Sequence, residues 1–151
     1  MDNNFILLTR SIGFTGTREG MSNKQLDVLE ALLNRASFRE AHHGDCVGAD
    51  EQFHMIVDNK KHTEDRPLRI VIHPPDNPTE RAFCIGDVMN EVKPYLVRND
   101  AIVKQSQVLI ACPLTNKEEQ RSGTWHTIRS ARKAKHKIYI ILPDGTIKEE
   151  G

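Results

Sequence analysis

Three stretches constrain this chain most. LRIVIH (68–73), QVLIACP (107–113) and KIYIIL (137–142) are apolar almost without interruption. A strand with one face in water alternates apolar and polar residues, whereas a strand that does not alternate is covered on both faces. A parallel sheet between two layers of helices supplies that cover. Helical patterns lie between the apolar runs. Ser22 and Gln25 form a capping-box signature, and Leu26, Leu29, Leu32 and Leu33 follow at helical spacing. GADEQFHMIVDNK (48–60), RNDAIVKQS (98–106) and the segment after Ser122 read as further helices. SIGF (11–14) and the weaker FREAHH (38–43) read as further strands. The alternation predicts an α/β fold, a Rossmann-like doubly wound, mainly parallel sheet flanked by helices. At least four strands are expected, with residues 70–72, 108–111 and 138–141 at the centre.

The 151 residues suit a single domain, spanning 1–151, with no internal repeat or low-complexity linker. Twenty-one basic and 21 acidic residues leave a formal charge of zero, so no global positive field draws the chain to nucleic acid. The basic cluster from Arg121 to Lys137 is read as the solvated face of a helix. No apolar stretch reaches the roughly 20 residues of a membrane span, and MDNNFILLTRS lacks a leader pattern. Cys46, Cys84 and Cys112 are too scattered for a disulfide framework, and Cys46 and Cys112 are read as small buried residues. The expectation is a soluble, cytoplasmic protein with no membrane partner.

In open α/β sheets ligands bind outside the carboxyl ends of the strands. The Gly, Asp, His and Arg residues that do not look like core fall just after predicted strands, and so converge on one sheet edge. In GFTGTR, Gly16 and Thr17 bring backbone N–H groups to a turn and Arg18 offers a cation; the alternative is a plain strand-to-helix turn. In HHGDCVGAD, Gly44 and Gly48 allow tight turns and close backbone approach. Asp45 or Asp50 is suited to a ribose hydroxyl or to work as a base, although Asp50 also fits simple charge compensation at a helix N-terminus. His73, before two prolines, is either a ligand contact or a strand-end histidine. His42, His43 and Cys46 contain zinc-type ligands without the usual spacing, so neither a metal nor a cofactor is expected.

RSGTWHTIRSARKAK (121–135) places the one Trp just inside a helix start. Ser122 is a good N-cap, and the N–H groups of Gly123 and Thr124 have no partner within the first turn. Those donors and the positive end of the helix dipole suit a cradle for an anion, with Arg121 in the loop before it; the alternative is an ordinary helix cap. Trp125 is read as a core residue behind the loop, continued by Ile128 and Ala131.

The ordered set GFTGTR, HGDCVGAD, HPP, VRNDAIVKQSQVLIACP, SGTWHTIRSA and KIYII resembles the SLOG superfamily of Rossmann-like nucleotide-binding proteins. The resemblance is nearest to the small YspA/YpsA-related branch, where a His-Gly-x-x-x-Gly-Ala-Asp element and an Arg-Asn element recur. It runs from about Ile12 to Leu142 and implies that Arg98 and Asn99 belong to the site. The same superfamily contains the DprA DNA-processing proteins and the Lonely-Guy phosphoribohydrolases, which cleave the N-glycosidic bond of nucleoside 5′-monophosphates. Arg98 matches the arginine of the Lonely-Guy signature, and Gly123-Thr124 match its Gly-Thr. Its Pro-Gly-Gly positions read Glu119, Gln120 and Arg121 here, and Thr127, after His126, stands where that family carries a catalytic glutamate.

The resemblance therefore implies nucleotide binding by a sensor, carrier or sequestering protein. The alternative is an N-glycosidase in which Asp45, Asp50 or Glu19 replaces the missing glutamate beside Arg98. Nucleic-acid binding of the DprA kind is disfavoured by the charge balance. Relatives of this type often dimerise through helices beside the site, which directs attention to Ala101–Val103.

Overall fold

The computed structural model describes residues 6–64 and 67–151, so the start of MDNNFILLTRS (1–5) lies outside it. The strands are β1 (Leu7–Leu8), β2 (Ser11–Gly16), β3 (Ala36–Ser37), β4 (Glu40–His43), β5 (Arg69–Ile72), β6 (Val88–Met89), β7 (Val108–Cys112), β8 (Lys137–Ile141) and β9 (Ile147–Glu150). The α-helices are α1 (Asn23–Asn34), α2 (Ala49–Thr63), α3 (Tyr95–Gln105) and α4 (Gly123–Lys133). Seven strands form one sheet in the order β6-β5-β4-β2-β7-β8-β9. Every neighbouring pair is parallel except β8 with β9.

Alternate side chains of the central strands go to opposite faces, and both faces are dry. Ile110 and Cys112 of β7 and Tyr139 and Ile141 of β8 join Leu29, Leu32 and Leu33 of α1 and Phe53 and Val57 of α2. Leu109, Ala111, Ile138 and Ile140 join Val103 of α3 and Trp125, Ile128 and Ala131 of α4. This two-sided burial explains the unbroken apolar runs and bears out the doubly wound, Rossmann-like α/β fold. Ser22 caps α1 with the expected box, accepting from Gln25 N while the Gln25 side chain accepts from Ser22 N. No helix among the described residues is long and apolar enough to cross a membrane.

Two expectations about the sheet need correction. Its centre is β2, and β5 lies one strand in from the β6 edge. The chain fills one half from β2 outward, through β4, β5 and β6, then crosses to β7 and β8. FREAHH is not one strand but contains only β4, with β3 before it pairing β1 in a separate two-stranded sheet. β9 returns antiparallel after a turn at Gly145 (φ 89°). The reversal of strand order puts the switch point between β2 and β7, where Gly16 is in register with Cys112.

Candidate functional site

The loops after β2 and β4 lock together at the switch point. Ala49 N donates to Thr17 O at 3.0 Å, and Thr17 N donates to Cys112 O at 3.2 Å. Gly16 and Gly48 have no room for a side chain. A Cβ on Gly16 would lie 2.5 Å from Ala49 Cβ, and one on Gly48, whose φ is +91°, 2.3 Å from the Arg18 carbonyl oxygen. Gly48 thus serves loop-to-loop packing.

This junction floors a cleft of about 330 Å³. Gly16, Thr17 and Arg18 line it from the β2 loop, Gly44, Cys46 and Asp50 from the β4 loop and α2. Arg98 and Asn99 enter from α3, and Arg121, Ser122, Gly123 and Thr124 from the start of α4. Eleven of the fourteen residues singled out in the sequence therefore meet at one place. Asp45, Gly48 and His73 do not line it.

At the α4 end, Ser122 accepts from Trp125 N at 3.2 Å, a side-chain N-cap. The cap satisfies the third-position N–H and leaves those of Gly123 and Thr124 at the mouth of the helix. Asn99 Nδ2 donates to Gly123 O at 3.4 Å, tying this turn to α3. A Cβ on Gly123 would meet the Tyr95 ring at 3.3 Å, so the neighbour that side chain would disturb is itself a cleft wall. Thr127 is fully buried and donates to Gly123 O at 3.0 Å, so no carboxylate occupies the Lonely-Guy glutamate position.

Arg98 is only 4 % exposed. Its Nη1 donates to the carbonyls of Gly44 and, at 3.2 Å, His73; its Nε donates to Asn99 Oδ1 at 2.7 Å. Nη2 lies 3.5 Å from Cys46 Sγ. Among the described residues no carboxylate forms an ion pair with it. Its direct partners are neutral dipoles, and the nearby Asp50 carboxyl forms no ion pair with it, so it favours an anion beside it. Arg18, by contrast, is paired with Glu80 at 2.8 Å and lies 5.7 Å from the Tyr95 ring centre. Asp50 accepts from Cys46 N through Oδ2 at 3.2 Å, while its Oδ1 is buried without a partner. Burial raises its pKa to about 6, against the lowering influence of Arg98 and of the Cys46 and Gly44 N–H groups.

Asp45 is fully buried and faces away from the cleft. Its carboxylate takes Arg81 Nε at 2.9 Å and Cys84 N at 2.8 Å, holding the 81–84 segment in place. His73 contributes only its carbonyl to Arg98; its ring belongs to a chain in which Asn90, His73, His42 and Glu40 bond in turn. With Asn90 donating at one end and Glu40 accepting at the other, each imidazole passes one proton onward and stays neutral. His43, His54 and Cys84 bring three metal-type ligand atoms within 4.8 Å of one another. Asp45 N–H occupies His43 Nδ1 at 3.0 Å, which puts the ring proton on Nε2, facing His54 Nδ1 at 2.9 Å. Burial pushes the Cys84 thiol up to about 12. A metal bound here would have to displace the protons of that nitrogen and of the thiol. His42 and Cys46, the remaining members of the zinc-type set, join other networks.

Sequence reasoning passed over Tyr95, Ile102, Phe14, Leu114, Glu119 and the cleft position of Cys46, all part of the lining. A signal existed on α3. Tyr95, Arg98, Asn99 and Ile102 recur at helical spacing on one face. It was masked because α3 starts after Pro94, three residues ahead of the helical pattern read from Arg98. Glu19, the remaining candidate base, also lines the cleft.

No protein-family model matches this chain, and no curated protein matches it. Among solved structures it is similar to the molybdenum cofactor binding protein from the phototrophic bacterium Rippkaea orientalis. The two share 20 % identity over 89 % of this chain and 77 % of that one, with a TM-score of 0.62. At that identity the likeness is one of fold.

Proposed function

We propose that the protein binds a nucleotide or nucleotide-derived small molecule in the cleft, with its phosphate at the start of α4, as a sensor, carrier or sequestering protein. The observation that carries this reading is Arg98, a buried guanidinium without a carboxylate partner, sharing a cleft with the free N–H groups of Gly123 and Thr124. Phosphate satisfies both, through charge-assisted bonds to arginine and through the helix N-terminus. Arg121, which has no ion pair among the described residues, supplies a second cation. The open volume suits a mononucleotide-sized ligand. Two further supports are the SLOG-like motifs and the cofactor-binding role of the Rippkaea orientalis protein with the same fold. Nucleoside mono- and diphosphates at a hundredfold their Kd raise the melting temperature by about 5–10 °C. Arg98→Ala abolishes that shift. Equal binding by the alanine variant removes Arg98 from the site.

A second reading is favoured by Asp50 alone. A buried carboxyl with pKa about 6 in the cleft is suited to activate water for attack on C1′ of a nucleoside 5′-monophosphate. The C1′–N bond breaks, the base leaves with a proton, and ribose 5-phosphate remains. Chromatography of nucleoside monophosphates after incubation decides between the readings: free base supports hydrolysis, intact nucleotide supports binding alone.

A further inference from the structure

Among the described residues, two buried side-chain polar atoms have no hydrogen-bond partner, Trp125 Nε1 and Asp50 Oδ1. Trp125 packs in the core between the sheet and α4. Asp50 is different, because it lines the cleft while only 5 % exposed. Buried carboxylate oxygens are seldom left without a donor, and the other buried acid of this region, Asp45, is fully engaged by Arg81 and Cys84.

Asp50 and Arg98 stand on either side of Gly44. A Cβ there would lie 2.5 Å from Arg98 Nη1 and 3.0 Å from Asp50 Oδ2, and the two groups feel each other's charge without forming an ion pair. The Cys46 peptide occupies the Oδ2 side of the carboxyl. Oδ1 is thus an acceptor held in fixed orientation beside a cation that seeks an anion. From this pairing we infer that Asp50 Oδ1 accepts a hydrogen bond from an O–H or N–H of the bound ligand, selecting phosphorylated compounds that carry such a donor. The inference rests on the phosphate-binding reading of the cleft. We assign that donor to a sugar hydroxyl or a ring N–H of the base, and not to an exocyclic amino group.

The cap on Oδ2 makes Asp50→Asn informative. Cys46 N–H demands an oxygen, so the new amide turns its NH2 toward the position of Oδ1. A donor then faces a donor.

Titration calorimetry at pH 8 with AMP and 2′,3′-dideoxy-AMP tests the sugar source. GMP and 1-methyl-GMP test the ring source, and inorganic phosphate is the control. The expected result is that one donor-lacking analogue binds the parent protein between about fivefold and a hundredfold more weakly than its partner. Asp50→Asn then binds both members of that pair alike. Equal binding of both members of both pairs by the parent protein overturns the inference and leaves the phosphate reading standing. If no phosphate-bearing probe binds, that reading fails and the inference falls with it. The parent-protein comparison decides the matter without a mutation, should the asparagine variant not fold.

Discussion

His42, His43, His54 and His73 are all held below the ordinary histidine pKa, first of all by burial, His73 as far as about 3. The unfolded chain protonates these rings near pH 6.5, whereas the native rings stay neutral to lower pH. Between those values the unfolded state binds more protons, so stability present above about pH 6.5 is lost as the pH falls. Urea midpoints should drop steadily from pH 7 to pH 5, and His73→Gln should flatten that slope. A midpoint constant over the range would count against the neutral chains. Asp50 works with the opposite sign. Its pKa is raised to about 6, so the native state holds the proton more tightly, and its cost is present above pH 6 and fades toward pH 4. Asp50→Asn should therefore stabilise the protein at pH 8 by up to about 3 kcal/mol and have little effect at pH 4. Denaturation at the two pH values checks this. A residue that stabilises when removed is one kept for the site.

At the scale of elements, two glycines that look alike in sequence have separate duties. Gly48, the residue before α2, needs its positive φ and has backbone against its missing Cβ. Gly48→Ala should cost about 3 kcal/mol or more, lowering the melting temperature by about 6–12 °C. Gly123, the first residue of α4, would bring a side chain only against the half-exposed Tyr95 ring. Gly123→Val should leave the melting temperature within about 2 °C of the parent while abolishing nucleotide binding, since it pushes Tyr95 into the space beside the helix N-terminus. Calorimetric scanning and ligand titration on both variants separate the roles. Unaltered binding by Gly123→Val would reduce Ser122–Thr124 to an ordinary helix cap. The sequence made the start of α4 legible because capping is local. The close backbone approach at Gly48 was legible too, but not its partner, Arg18, which lies thirty positions away in another loop.

For the whole molecule, self-association is the remaining expectation. The region marked in sequence, Ala101–Val103, is turned largely inward, with Ile102 and Val103 buried in the protein's own core. The exposed apolar side chains of this helix are Leu96 and Val97, beside Tyr95 at the cleft and Val92 just before the helix. Exposed apolar side chains grouped in this way mark contact surfaces. We expect a dimer formed through them at high micromolar concentration by light scattering, and Leu96→Glu to return a monomer with an unchanged circular dichroism spectrum. A parent protein that is monomeric at that concentration ends the expectation.

By itself the sequence determined the class of fold. Val108–Cys112 and Lys137–Ile141 show their two-sided burial as unbroken apolar runs, a property each strand carries locally. It also pointed to the sheet edge that carries the cleft, because every unusual loop follows a strand. Strand order was decided only in three dimensions. Nothing within SIGFTG says that β2 is central, since its place depends on where the chain crosses over after β6. The choice between Asp45 and Asp50 belongs to the same level. Both are acids in one short motif, and it is Arg81, far along the chain, that draws Asp45 out of the cleft and leaves the free oxygen to Asp50. Electrostatic partners are set by tertiary neighbours, and a single sequence lists the charges without pairing them.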